Sequence, residues 1–86
     1  MINDKKIAVI IPAYNEELLI SKTINTMPNE ADLLIVINDA SKDSTESIVS
    51  DLKKLNKKII LINHEKNLGV GASLKTGYKK SLEMNM

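Results

Sequence analysis

The chain has 86 residues, 43% of them hydrophobic, and its 12 Lys (there is no Arg) nearly cancel 11 Asp and Glu, for a net charge of +1. So even a balance supplies no field able to hold a nucleic-acid backbone; the absence of Cys excludes disulfides and Cys-ligated metals; and no apolar run approaches the roughly 18 residues needed to cross a bilayer. Residues 1–86 make one domain at most, and a chain this short buries roughly 60 to 65% of its unfolded surface, so a partner or a further segment is expected. The polar Met1 to Lys6 start is no signal peptide, which makes a cytoplasmic setting the default expectation.

The first element in chain order is Ile7 to Ile11, a continuous β-branched apolar run of the kind covered on both faces in a parallel sheet. Pro12 supplies no amide and is expected to end that strand, turning Ala13, Tyr14 and Asn15 outward over its end. Leu19, Ile20, Thr23, Ile24 and Met27 then recur with helical period. Asn15 as an Asx cap, followed by Glu16 and Glu17, suits the positive end of that helix. A second buried run, Leu33 to Ile37, leads into Asn38-Asp39-Ala40-Ser41. The helix after it carries Ile48, Val49, Leu52 and Leu55, with Asp43 and Glu46 spaced as a carboxylate capping box.

Ile59 to Ile62 form a third buried run, and Asn63 to Leu68 a polar loop. The last helix places Val70, Leu74, Tyr78 and Leu82 on one side, with Gly77 close by as a position for tight packing against the sheet. The order is βαβαβα, so the expected fold is three-layer α/β with a parallel sheet joined by right-handed crossovers. If the finished sheet has strand order 3-2-1-4, the absence of a fourth strand leaves an edge of the first one open, and the chain alone is expected to self-associate through that edge or to be poorly stable.

In open parallel sheets, ligands bind beyond the carboxyl ends of the strands, so the two polar runs that follow the first two strands should share a pocket. Tyr14 offers a flat face and a hydroxyl, and Glu16 an acceptor for sugar hydroxyls or a base edge. An ionised Asp39 accepts hydrogen bonds only, which suits an N–H or O–H on a uracil or guanine ring or a ribose. A cation shared by Asp39 and Asp43 is the weaker alternative, because Asp43 is better explained as a cap.

Gly69-Val70-Gly71-Ala72-Ser73-Leu74-Lys75-Thr76 fails both familiar phosphate motifs. Leu74 stands where a Walker loop needs its second glycine and where a dinucleotide fingerprint needs its third. What remains is a helix start favouring an anion, with Lys75 placed for a diphosphate. His64, with no second His and no Cys, reads as a surface loop residue. The paired lysines Lys53-Lys54, Lys57-Lys58 and Lys79-Lys80 read as solvated helix faces.

IAVIIPAYNEE, LLIVINDASKDST and NLGVGASLKTGYKKSLE, in that order, resemble the first half of the inverting family 2 glycosyltransferases with the GT-A fold, especially the branch that makes polyprenyl-phosphate sugars. The resemblance implies a Rossmann-like half-domain in which Pro12, Ala13, Tyr14, Glu16 and Asp39 hold the nucleoside of a UDP- or GDP-sugar and Lys75 approaches its phosphates or ribose. It also implies a hexosyl transfer with inversion, at the cytoplasmic membrane face in the complete enzyme. Asn38 and Ala40 depart from the Asp-Asp-Gly-Ser of many members, which argues against residue 38 as a ligand.

Members further carry an Asp-x-Asp motif for Mg²⁺ or Mn²⁺ and, later, a catalytic base. Neither is found in this sequence, so no catalytic or metal-binding residue is assigned and these residues alone are expected to be inactive. Two other classes compete: a noncatalytic nucleotide-binding or self-assembling module, and a divergent P-loop phosphotransferase, which Leu74 disfavours.

Overall fold

A computed structural model describes residues 6–85; Met86 and all but the last residue of the polar Met1 to Lys6 start lie outside them. The elements are β1 (Ala8–Ala13), α1 (Ile20–Asn25), β2 (Leu33–Asn38), α2 (Thr45–Leu55), β3 (Ile59–Asn63) and α3 (Val70–Glu83). The strands form one parallel sheet in the order β1-β2-β3. Its register sets Ala13 opposite Asn38 and Asn38 opposite Asn63, so all three carboxyl ends finish at one level. That common rim positions the site.

Side chains alternate across the sheet, as the pleat requires. Ile11, Ala13, Leu34, Val36 and Ile59 pack with Ile20 and Ile24 of α1 and Val49 of α2 in one buried cluster. The opposite face belongs to α3, which lies over β1 and β2 and covers the fully buried Ile35 and Ile37 of the middle strand. Helices on both faces of a parallel sheet give the three-layer α/β arrangement expected.

Three local expectations are corrected. Pro12 does not end β1; it pairs with Ile37, and the strand continues to Ala13. A proline is tolerated there because β1 is at the edge of the sheet among the described residues, where an amide is not needed on both sides. Asn15 does not cap α1, which begins at Ile20 after a turn in which the amides of Leu19 and Ile20 both donate to the Glu16 carbonyl, at 2.9 and 2.8 Å. The Asp43/Glu46 capping box does not form either: Asp43 accepts from the Thr45 amide, only two residues on, and Glu46 accepts from Asn63. Asn15 and Glu46 thus find partners across the rim in preference to their own helices.

The largest difference is the rotation of α3. Its buried residues are Ser73, Gly77 and Ser81, whereas Val70, Leu74, Tyr78 and Leu82 are between 45% and 65% exposed. Gly77 does pack tightly on the sheet: a β-carbon there would overlap Ile10 Cγ2. A helix that sits this close to bulky strand side chains must turn its small residues inward, and the four-residue apolar stripe is thereby directed away from the sheet.

Candidate functional site

The loops after β1 and β2 are laced together. The Asp39 amide donates to the Ala13 carbonyl (2.9 Å), the Asn15 amide to Ser41 Oγ (2.9 Å), the Glu16 amide to Thr45 Oγ1 (2.9 Å) and the Lys42 amide to Asn15 Oδ1 (2.8 Å). Asn15 and Ala40 both adopt left-handed backbone, at φ 52° and 62°, a conformation that asparagine tolerates and alanine resists. Two sharp bends thus bring both segments to one place. Asn38 is consumed in this framework, donating to Asn63 Oδ1 at 2.9 Å and accepting from the Ser41 amide at 3.2 Å.

Asp39 ties the third loop to the same rim. Its Oδ1 accepts from His64 Nδ1 (2.7 Å) and the Leu68 amide (2.9 Å), and its Oδ2 from the Gly69 amide (2.8 Å). An ionised carboxylate accepts at about four lone-pair sites, so one site on Oδ2 stays open. The His64 hydrogen bond, followed by that from Leu68, outweighs burial and holds the Asp39 carboxyl below its ordinary value of 3.8. His64 is not the surface residue expected: its side chain is 9% exposed and its Nε2 lies 2.8 Å from Thr76 Oγ1 on α3. Because the carboxylate can only accept, Nδ1 carries the proton, and in the neutral ring Nε2 then accepts from Thr76.

A cavity of about 90 Å³ opens beside Asp39, lined by Pro12, Ala13, Tyr14, Glu16, Val70 and Ser73 as well. Five of the residues singled out in the sequence are thus brought together at the carboxyl ends of the strands. Lys75 is not; it lies exposed on α3, outside the lining. Val70 and Ser73 were missed, Val70 because it read as part of an apolar stripe and Ser73 because a serine within a helix carries no signal of its own. A larger cavity of about 630 Å³, lined by Ile24, Asn25, Leu52, Leu55, Asn56 and Lys57 among others, sits at the opposite, amino end of the strands, away from the polar runs that follow β1 and β2.

The metal that the resemblance implies does not fit the residues present. Among the described residues no three His, Cys, Asp or Glu side chains gather for a cation. Asp39 is surrounded by N–H donors, the reverse of a cation's surroundings, and Asp43 accepts from Thr45 Oγ1 (2.5 Å) and from the Thr45 and Glu17 amides (2.9 and 3.2 Å).

Residues 8–83 match the model of the Glycosyl transferase family 2. The chain belongs to that family. It is 40% identical to a UDP-N-acetylglucosamine–dolichyl-phosphate N-acetylglucosaminyltransferase of Methanococcus voltae, over 94% of this chain and 38% of that protein. A dolichyl-phosphate beta-glucosyltransferase of Trichomonas vaginalis is 29% identical over 83% of this chain and 25% of its own length. A poly(ribitol-phosphate) beta-glucosyltransferase of Bacillus spizizenii is 36% identical over 74% and 11%. The first two carry dolichyl phosphate in their names, in keeping with the polyprenyl-phosphate branch of family 2. The chain spans little more than a third, or less, of the length of these relatives. None of its described helices is long and apolar enough to cross a membrane.

Proposed function

We propose that these residues form the nucleotide-binding part of a glycosyltransferase that uses a UDP- or GDP-sugar. The observation that supports this reading is the cavity shared by Tyr14, Glu16 and Asp39 at one rim of a parallel sheet. Tyr14, 42% exposed, would lie flat against the base; the open acceptor of Asp39 would take one of its N–H groups; Glu16 would accept from the ribose hydroxyls. Pro12 and Ala13 would form the apolar floor, and Lys75 would meet the diphosphate beyond the cavity.

In the complete enzyme the bond from the anomeric carbon to the diphosphate breaks as one to an acceptor hydroxyl or lipid phosphate forms, with inversion, at the cytoplasmic face of a membrane. Mg²⁺ or Mn²⁺ and the base that receives a hydroxyl proton would come from residues other than these 86, so the chain alone binds nucleotide without transferring sugar. The test is titration with UDP, GDP and ATP, followed by amide chemical shifts. Shifts at Tyr14 and Asp39 with UDP or GDP, lost in Tyr14→Ala, are the expected result; ATP binding that depends on Lys75 and Thr76 alone would overturn it.

The exposed stripe Val70, Leu74, Tyr78 and Leu82 favours a second reading, a noncatalytic module that pairs with another copy of itself through β1 and α3. Its signature is a mass that rises with concentration and no response to any nucleotide.

A further inference from the structure

We propose that Ser73 is a second base-reading group and that, with Asp39, it selects uracil over the other bases; this rests on the nucleotide-binding reading above. Ser73 is fully buried, lines the cavity beside Asp39, and its hydroxyl has no hydrogen-bond partner, the one such buried side-chain atom among the described residues. Serines in helices ordinarily donate back to a carbonyl of the preceding turn. Ser81 does so in the same helix, to Tyr78 at 2.7 Å, and Ser47 does so to Ser44 at 3.0 Å. Ser73 does not. A buried donor left unmatched is costly unless a ligand completes it, and the space beside this one is the cavity.

The pairing pattern follows from the lone pairs that remain. Asp39 has one open acceptor site, on Oδ2, and Ser73 has one free donor, so together they present an acceptor next to a donor. Uracil offers the complement, its N3–H beside a ring carbonyl. Cytosine has an acceptor at N3, so it can offer a donor beside an acceptor only through its 4-amino group and N3, which shifts the ring by one position from the pose uracil takes. Guanine carries a similar pair but adds an amino group beside its N1–H, and Asp39 Oδ1 cannot receive it because His64 and Leu68 already fill that oxygen. Adenine offers a donor beside an acceptor from its amino group and N1, but its second ring would have to extend beyond a cavity of about 90 Å³.

The experiment is calorimetric titration of the 86-residue chain and its Ser73→Ala variant with UDP, CDP, GDP, ADP and the N3-methylated form of UDP. UDP is expected to bind tightest, N3-methylation to abolish binding, and Ser73→Ala to weaken UDP about five- to tenfold, the loss of one neutral hydrogen bond. Thermal unfolding of the variant should be unchanged or raised, since it removes an unmatched hydroxyl. Ser73→Thr, which keeps the hydroxyl, should retain more of the affinity than Ser73→Ala. Equal UDP affinity in wild type and Ser73→Ala, or GDP binding as tightly as UDP, overturns the assignment while leaving nucleotide binding intact. Failure of every nucleotide to bind overturns both.

Discussion

His64 and Asp39, 25 positions apart, are joined by a 2.7 Å hydrogen bond from Nδ1 to Oδ1, and the other ring nitrogen of the histidine reaches Thr76. The imidazole therefore clamps the end of β2 to the first turns of α3. It also fixes which Asp39 oxygen stays open toward the cavity. Replacing His64 by Ala leaves Asp39 Oδ1 and Thr76 Oγ1 short of partners inside the fold, which costs about 1–3 kcal/mol. Thr76→Val removes only the outer hydrogen bond and should cost about 1 kcal/mol. Urea unfolding of both variants checks the order; equal and negligible losses would mean that the clamp contributes nothing.

The two carboxylates of the rim set the response to acid. Asp39 is lowered chiefly by His64; Asp43 is lowered because its hydrogen bonds from Thr45 and Glu17 outweigh the burial that pushes it up. Each thus titrates below 3.8 in the folded chain and at about that value when unfolded. Their stabilisation is complete above the unfolded value and disappears as the pH falls through the folded one. Unfolding free energy should therefore drop as the pH falls below about 4. Asp43→Asn, which cannot titrate, should flatten part of that slope when the two proteins are compared across the same range.

Gly77 faces Ile10 so closely that the two cannot both carry more atoms. Gly77→Ala gains helix propensity of roughly 1 kcal/mol but forces α3 off β1, an overpacking that costs about 1–3 kcal/mol. The net expectation is destabilisation, and pairing the change with Ile10→Ala should recover part of it, since the carbons nearest to the added methyl are the two γ carbons of Ile10, which alanine lacks. Additive losses in the double variant, measured by denaturation, would show that the contact does not govern the packing of α3.

Much of this arrangement could be read from periodicity. The three β-branched runs Ile7 to Ile11, Leu33 to Ile37 and Ile59 to Ile62 carry the strands to within two residues at each end, because a buried parallel strand admits little else. Polar residues straight after two such runs were enough to anticipate that Tyr14 and Asp39 would meet at a common rim. Hydrogen-bond partners were not legible. Asn15 and Glu46 each carry the local signature of a helix cap, but their partners lie 27 and 17 positions away; Asp43 divides its bonds between Thr45, two residues on, and Glu17, and local spacing holds no information about the distant partners. His64 looked solitary for the same reason. The face of α3 was ambiguous because Ser73, Gly77 and Ser81 share a four-residue spacing with the larger stripe; contact distance, set by Ile10, decided between them.

Lys75 is the remaining residue whose role depends on reach. It lies outside the cavity that Tyr14 lines, so the two side chains should respond to different parts of a nucleotide. Lys75→Gln should weaken UDP severalfold yet leave uridine unaffected, because only the diphosphate would extend beyond the base pocket along α3. The loss should shrink as salt rises toward about 1 M, where the screening length falls to about 3 Å. Tyr14→Ala should weaken UDP and uridine alike, by the stacking contribution of about 1–3 kcal/mol per base, and with little dependence on salt. Calorimetric titrations with both ligands at low and high salt separate the two. A Lys75→Gln protein that binds UDP and uridine as the wild type does would return Lys75 to the solvated face of its helix.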